Sequence, residues 1–275
     1  VVQPVQFDIT CTSESGQIQV TKFNSYVERL IMIPEGVDPN KITTGIVMNE
    51  DGTFTHVPTK IIIIDGIYYA KINSLTNSVY SIIWNVADLT DVKGHWAEDI
   101  INDMNARLVV EAKTDDKFAP NTDITRAEFT DILIRGLGLL RAGTGKLVFD
   151  DVTEASKYFD SISIAYDYGI IKGVGGDSFN QDKLITREHA MLMIYRAMKI
   201  TNMDAILTAT DFVRFNASFD DETLYSPETV NSAVACFKYG IMEGKAYRVS
   251  DPLDNLSRAE AAVFIYRLLK ISGLI

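Results

Sequence analysis

Three arginines occur in the same local context in this sequence. Arg126, Arg187 and Arg258 stand in ITRAEF, ITREHA and LSRAEA, and each follows a hydroxyl residue. A guanidinium group presents a planar fork of donors that matches a carboxylate or a phosphate. The chemistry that this pattern could perform is therefore the capture of an anion.

The hydroxyl residues have a simpler explanation. Thr125 with Glu128, and Ser257 with Glu260, have the S/T-x-x-E form of a capping box, in which each side chain accepts a hydrogen bond from the other residue's backbone amide. Such a cap is worth about 1 kcal/mol. The box explains these four residues without any function, and it predicts that a helix starts at each motif.

The capping box does not explain the arginines. Each falls in a first helical turn, where a cation opposes the helix macrodipole at a cost of about 0.3–1 kcal/mol. In the second motif His189 stands where the box needs glutamate, yet Arg187 is still present. Two explanations stay open: an ion pair with an acid of the protein, for instance the aspartate that starts a neighbouring repeat, or an external carboxylate or phosphate bound with help from helix amides.

The arginines belong to a longer internal repeat. Asp91, Asp151 and Asp221 precede the three motifs by similar distances, and an apolar-faced helical pattern follows each motif. The segments YGIIKG and YGIMEG end a further helix in the second and third copies. One helix pair cannot bury its own apolar stripe, so we expect three stacked or ring-closed copies to share a core.

We place the repeats at 87–147, 148–218 and 219–275, with the mixed segment 201–218 as a connector. Residues 1–86 have a different pattern, rich in β-branched residues and turns. Asp51-Gly52 and Asp65-Gly66 are strong hairpin signals, and SVYSIIWNV indicates another strand. The sequence therefore predicts an α+β protein, with a small antiparallel β domain, a sandwich or an appended sheet, before the helical repeats.

Composition excludes several partners. The 275 residues carry a formal net charge of -11, which would repel nucleic acid and anionic lipid at long range. The apolar run 61–64 is far shorter than the roughly 20 residues needed to span a bilayer. We expect no nucleic-acid partner and no membrane insertion.

The sequence gives little support for catalysis. The three histidines lack metal-ligand spacing, no GxSxG or P-loop motif occurs, and neither cysteine has a candidate base nearby. Asp150-Asp151 and Asp220-Asp221 resemble paired glycosidase acids, but their recurrence at a repeat boundary favours a structural turn. We expect no enzyme activity, no catalytic residues, no metal and no cofactor.

The segments FDDV, GHWAEDI, YGIIKG and ITRAEF resemble the motifs of the S-layer homology repeat, over 88–275. The preceding residues resemble the β-rich segment found before such repeats in some bacterial surface proteins. The resemblance implies an all-α pseudo-threefold spindle of three repeats in a secreted protein of the cell wall or cell surface. It also implies that grooves between repeats bind pyruvylated secondary cell-wall polysaccharide, and that neighbouring S-layer subunits are further partners.

In this family the arginine of the TRAE motif contacts the carboxylate of the pyruvate ketal. Carried onto this chain, the candidate ligand-binding residues are Arg126, Arg187, Arg258, Thr125, Thr186, Ser257, Glu128, Glu260, Trp96, Asp91, Asp151, Asp221, Gly173 and Gly244. The alternative is a lattice-assembly protein in which the arginines form internal ion pairs.

Three of these residues have a structural alternative. Trp96 could offer a face to a sugar or act as a hydrophobic anchor between repeats. Gly173 and Gly244 could allow close approach of ligand or chain, or could end a helix with a positive φ. The first copy has Ala112 at the glycine position, and the second lacks both the tryptophan and the capping glutamate. We therefore expect three unequal grooves.

Overall fold

The computed structural model describes residues 2–13, 16–20, 22–49, 52–203 and 206–275. Its strands precede residue 84 and its α-helices follow residue 97, which confirms the α+β class. The strands are β1 (Val5–Gln6), β2 (Thr10–Ser13), β3 (Gly16–Gln19), β4 (Lys22–Met32), β5 (Thr44–Met48), β6 (Phe54–Val57), β7 (Thr59–Ile64), β8 (Ile67–Thr76) and β9 (Val79–Ile83).

The strands form antiparallel sheets. One sheet has the order β1-β9-β5-β6 and another β4-β8-β7, while β2 and β3 form a separate pair. The two larger sheets share an apolar core that includes Ile31 and Ile72 from one sheet and Val47 and Tyr80 from the other. They therefore pack as a small sandwich.

The predicted hairpins are present. Asp65 and Gly66 connect β7 to β8 with φ values of 50° and 81°, which is the double positive φ that a primed turn needs. In the β5–β6 connection Gly52 also has a positive φ of 82°, whereas Asp51 lies outside the described residues. The strand expected in SVYSIIWNV is β9.

The α-helices lie in the rest of the described chain, separated by loops. They are α1 (Glu98–Ala106), α2 (Arg126–Gly136), α3 (Phe159–Asp167), α4 (Arg187–Met198), α5 (Ala209–Ser218), α6 (Val230–Lys238) and α7 (Arg258–Ile271). The pairs α1/α2, α3/α4 and α6/α7 follow the repeat, and their apolar faces join in one core. We refer to these pairs as the first, second and third copies.

The segment 201–218, which was predicted as a connector, contains helix α5. Thr208 and Asp211 form a capping box at its start. Phe215 is fully buried against Phe219 and Phe237, so one face of α5 packs on the third copy. Helix α5 has 10 residues, and positions 204 and 205 before it lie outside the described residues.

The three copies are joined in a ring by backbone hydrogen bonds just before α2, α4 and α7. Ile124 N donates to Leu256 O (2.9 Å), Leu256 N to Ile185 O (2.9 Å) and Ile185 N to Ile124 O (3.1 Å). All three side chains are buried in the helical core. This closed cycle places the three arginine motifs around one centre.

The β sandwich docks on the first copy through polar contacts. Tyr26 Oη donates to Leu137 O (2.7 Å), and Arg141 Nη2 donates to Thr76 Oγ1 (2.8 Å). Strand β6 also packs against α2. Across the described residues, no helix combines the length and the apolar character that a bilayer crossing requires.

Candidate anion-binding grooves

Each arginine is the first residue of its helix, as the capping pattern predicts. Thr125 Oγ1 accepts from Glu128 N (3.1 Å) and Glu128 Oε2 accepts from Thr125 N (3.1 Å). Ser257 and Glu260 form the same box at α7. Both capping boxes are therefore complete.

The cap of α4 is different. Thr186 makes no side-chain hydrogen bond to the helix amides, and its Oγ1 instead contacts His189 Nδ1 at 2.7 Å. The weaker cap expected for the second copy is confirmed. The substitution of histidine for glutamate thus removes one of the two partners that hold the start of this helix.

The first amides of the three helices are not available to a ligand. Arg126 N donates to Lys183 O (2.9 Å) and Ala127 N donates to Gln181 O (3.0 Å). The corresponding amides of α4 and α7 donate to the loops of the third and first copies. The expectation that helix amides assist an anion is therefore wrong, because neighbouring carbonyls already occupy them.

The loop of the next copy also orients each guanidinium. The Nε atoms donate to backbone carbonyls, Arg126 to Phe179 (3.0 Å), Arg187 to Ser250 (3.0 Å) and Arg258 to Phe118 (2.9 Å). The rings of Phe179 and Phe118 lie 4.7 and 4.5 Å from the guanidinium carbons of Arg126 and Arg258. These contacts fix each arginine at the boundary between two copies.

The repeat aspartates support these loops and do not line a groove. Asp151 accepts hydrogen bonds from the amides of Phe179 (2.8 Å) and Asn180 (2.6 Å). Asp91 and Asp221 hold the equivalent amides in the first and third copies. Their carboxylates are thus occupied by loop amides, and the three aspartates are not among the residues that line the grooves.

Two of the three arginines are neutralised inside the protein. Arg187 Nη1 lies 2.6 Å from Glu260 Oε1, and Arg258 Nη1 lies 3.6 Å from Glu128 Oε1. The internal-pair explanation therefore applies to these two, although the acid is the capping glutamate of the next copy and not the repeat aspartate. Within the described residues, Arg126 has no carboxylate oxygen within 4.0 Å.

An open cavity adjoins each arginine. The first groove has a volume of about 290 Å³ and contains Arg126, Lys172, Gly173, His189, Arg196 and Glu228. The second groove, of about 460 Å³, contains Trp96, Arg187, Glu243, Gly244, Lys245, Glu260 and Arg267. The third groove, of about 110 Å³, contains Glu111, Lys113, Glu128, Asp131, Lys157, Tyr158 and Arg258.

The grooves differ in charge balance. Each has three Lys or Arg side chains, but the acids number one in the first groove, two in the second and three in the third. Most of these cations were not predicted from the sequence. Arg196 and Arg267 could have been found, because together with Arg135 they form a second repeated arginine at the same position of α2, α4 and α7.

Trp96 lies on the wall of the second groove with 65% of its surface exposed. That exposure does not fit a buried hydrophobic anchor. Lys157 and Glu228 occupy the equivalent place, just before α3 and α6, and they line the third and first grooves. Each groove is therefore built from all three copies, and only the second receives an exposed aromatic face at this position.

Gly173 and Gly244 lack a positive φ, so the explanation that they end a helix with a positive φ is wrong. The glycines that have a positive φ there are Gly169 and Gly240, at 68° and 66°. A Cβ atom at Gly244 would lie 2.7 Å from Val249 O, and one at Gly173 would lie 3.0 Å from Ser178 O. Glycine is needed because the following loop folds back closely over the backbone.

Burial shifts the ionisation of the groove residues. It lowers the pKa of the Arg126 guanidinium, and the neighbouring Arg196 lowers that pKa further. Burial also lowers the pKa of Arg258, but Glu128 opposes the shift. Burial would raise the pKa of Glu128, yet hydrogen bonds from Lys113 and the Thr125 amide outweigh it and the pKa is lowered.

Comparison with known proteins finds a matching family and several similar bacterial proteins. Residues 88–130 and 148–191 match the family model of the S-layer homology domain. The chain is 32% identical over 267 residues to an amylopullulanase of Thermoanaerobacterium thermosulfurigenes, covering 97% of this chain and 14% of that protein. It is 33% identical over 201 residues to exoglucanase XynX of Acetivibrio thermocellus, covering 72% and 18%.

An S-layer protein of Bacillus licheniformis is 30% identical over 176 residues, covering 62% of this chain and 18% of that protein. The chain thus spans less than a fifth of the length of these relatives. The matches identify two S-layer homology repeats, which coincide with the first and second copies. They place the chain among bacterial proteins associated with the cell surface and the cell wall.

Proposed function

We propose that this chain attaches its protein non-covalently to the bacterial cell wall by binding pyruvylated secondary cell-wall polysaccharide in the grooves between the copies. S-layer homology domains bind cell-wall polymers, and two such repeats are matched here. We treat 219–275 as a third repeat, because it supplies the same helix pair, the same arginine and one link of the backbone ring. The three repeats would then form a pseudo-threefold trimer.

The observation that carries this proposal is the state of Arg126. Its residue surface is only 8% exposed, yet its guanidinium borders an open cavity and lacks a carboxylate partner in the described part of the chain. A buried cation without a counter-ion costs free energy. A ligand carboxylate that enters the groove would supply the missing charge and accept a bidentate pair of hydrogen bonds.

The other two grooves contribute to the same attachment. The second groove could stack a sugar ring on Trp96, and Lys245 and Arg267 add positive charge there. Because a polymer can occupy more than one groove at once, a high effective concentration strengthens binding beyond that of a single site. The chain as a whole is acidic, so attachment would rest on these local cations and would weaken at high salt.

We also propose that this chain is a non-catalytic part of its protein. Two of the relatives are named as an amylopullulanase and an exoglucanase, but the chain matches 14% and 18% of their lengths. An S-layer protein matches 62% of this chain. Turnover of a cell-wall glycan by the isolated chain would contradict this proposal.

A pull-down tests the attachment. The chain is mixed with native wall polymer and with the same polymer after chemical removal of the pyruvate ketals. We expect retention on the native polymer and loss on the treated one. A double variant, Arg126→Ala with Arg258→Ala, should lose most of the retention while keeping its helical circular dichroism, and undiminished binding by this variant would defeat the proposal.

A second candidate function is lattice assembly by the β sandwich. On the outer face of the β4-β8-β7 sheet, Leu30, Met32, Ile64 and Ile67 are each 40–57% exposed. Exposed apolar clusters of this kind often mark protein contacts. Replacing Met32 and Ile64 by lysine should abolish any self-association without affecting polymer retention, and unchanged association would exclude this face.

A further inference from the structure

The three arginines follow one cyclic rule. Each guanidinium faces the residue that stands two positions after the arginine of the next copy's motif, and in two cases that residue is a glutamate, Glu260 for Arg187 and Glu128 for Arg258. For Arg126 the corresponding residue is His189, which lines the same cavity. A neutral imidazole cannot neutralise a guanidinium, so the first groove keeps a charge that the other two grooves cancel.

A second difference between the copies also makes the first groove more positive. In the first and third copies the repeated arginine of the second helix pairs with a glutamate, Arg135 with Glu111 at 2.9 Å and Arg267 with Glu243 at 2.8 Å. The second copy has Lys172 at the glutamate position, opposite Arg196. Two acids of the common pattern are therefore replaced in this groove by a histidine and a lysine.

The result is a cluster of cations without counter-ions. Among the residues that the structure describes, Arg126, Lys172 and Arg196 form no ion pair within 4.0 Å, and Glu228 is the one acid lining the cavity. The two Nη groups of Arg126 have no hydrogen-bond acceptor in the same part of the chain, whereas Nη2 of Arg187 and of Arg258 donates to the carbonyls of Glu243 and Glu111. The donors of Arg126 therefore remain available to a ligand.

We propose that the first groove is the principal carboxylate-binding site of the chain, and that His189 determines this specificity by leaving Arg126 unpaired. This inference rests on the proposed function, and it names the groove and the residue that select the acidic sugar. A glutamate at position 189 would compete with the ligand carboxylate for the same guanidinium. The histidine removes that competitor, and when it is protonated both of its ring nitrogens are donors and it carries a positive charge.

Protonation of His189 should couple to binding. Burial lowers its pKa, Arg126 and Lys183 lower it further, and Glu188 and Glu228 oppose them. The charged groups around the imidazole are Glu188 and Arg196 on α4, Lys183 before α4, Arg126 on α2, Lys172 after α3 and Glu228 before α6. A bound carboxylate favours the imidazolium form, so affinity should rise as pH falls from 7.5 to 5.5.

The test is a ¹⁵N–¹H NMR titration with a methyl hexoside that carries a pyruvate ketal, beside the same hexoside without the ketal. We expect saturable shifts centred on the amides of Arg126, Gly173 and Arg196 with the charged probe and none with the neutral probe. His189→Glu should weaken the site at least tenfold. This variant restores the capping box with Thr186, so loss of binding would not reflect loss of folding.

Two control variants sharpen the test. His189→Gln leaves Arg126 unpaired but cannot take up a proton, so it should bind at pH 7.5 as the wild type does and lose the gain at pH 5.5. Lys172→Glu should weaken binding as His189→Glu does, because it restores the other acid of the common pattern.

Wild-type affinity in His189→Glu, or shifts centred on the second or third groove, would overturn the inference. Absence of saturable shifts in every groove would also overturn it. The pull-down on native and depyruvylated polymer is read separately: retention that depends on the ketals but not on His189 would leave the proposed function intact, whereas no retention on either polymer would refute that function.

Discussion

The first and third grooves are built from equivalent elements of the copies but differ in charge, because three cations face one acid in the first groove and three acids in the third. In both, an arginine at a helix start is held by the backbone carbonyl of the next copy's loop. In the third groove Glu128 also approaches the guanidinium of Arg258 and accepts from Lys113, whereas the first groove has His189 in that place. One residue thus decides whether the arginine joins two copies or remains available to a ligand.

The difference shows how one repeat can serve structure and binding at once. An ion pair between neighbouring copies neutralises the buried guanidinium inside the protein, but it leaves less positive charge to attract an anion. In a chain with three identical copies, every groove would divide its positive charge between internal pairing and ligand binding in the same way. Here the third groove is balanced and small, at about 110 Å³, while the first is larger, at about 290 Å³, and carries excess positive charge.

The largest expected effect concerns stability in the third groove. Arg258→Ala removes two backbone hydrogen bonds and leaves Glu128 with one cationic partner, so the free energy of unfolding should fall by about 3 kcal/mol. Arg126→Ala loses one such bond and the contact with Phe179, and it should cost about 1.5 kcal/mol. Urea denaturation of both variants measures the difference, and equal losses would show that the two grooves do not differ in this way.

The same pair of arginines should rank in the reverse order for binding. Arg126→Gln removes a charge-assisted pair with the ligand, so affinity for a pyruvylated methyl hexoside should fall by about 2 kcal/mol, roughly thirtyfold. Arg258→Gln should change that affinity by less than about threefold. Isothermal titration calorimetry of the two variants checks the ranking, and a greater loss in Arg258→Gln would reverse the roles assigned to the grooves.

A histidine in the β sandwich provides a contrast to His189. Burial lowers the pKa of His56 to about 3, so the unfolded chain takes up a proton at this residue that the folded chain does not. Stability should therefore be lost as pH falls below about 6.5, by about 1.4 kcal/mol at pH 5.5. Urea unfolding at pH 7.5 and 5.5 measures this slope, which His56→Gln should reduce.

The smallest expected effect is a gain in stability. His189→Glu completes the capping box with Thr186 and gives Arg126 a partner, so the free energy of unfolding should rise by about 1 kcal/mol. The same variant should bind the charged hexoside worse. A loss of stability would mean that His189 has a structural role that its contact with Thr186 does not reveal.

Local features of the molecule could be predicted from the sequence. The capping boxes at Thr125 and Ser257 depend on residues three positions apart, and the Asp65-Gly66 hairpin depends on two adjacent residues. The internal repeat also identified the three arginines and the helices that begin with them. These signals are short in range, so a single sequence contains them completely.

The partners of the arginines could not be predicted from local patterns. Glu260 neutralises Arg187 from 73 positions away, and the carbonyl of Phe118 reaches Arg258 across 140 positions. The repeat aspartates were expected at the ligand, but each holds the amides of a loop in its own copy, 27 to 29 positions further along the chain. Pairing between copies follows from the closed ring, and the repeat alone does not specify which copy follows which.

The most direct test exchanges the two residues that distinguish the first groove from the second. The double variant His189→Glu with Glu260→His should pair Arg126 and release Arg187 from its 2.6 Å contact with Glu260. In a ¹⁵N–¹H titration with the pyruvylated methyl hexoside, we predict that the largest shifts move from the amides of Arg126 and Gly173 to those of Arg187 and Gly244. Shifts that remain at Arg126, with wild-type affinity, would contradict the claim that an unpaired guanidinium selects the ligand carboxylate.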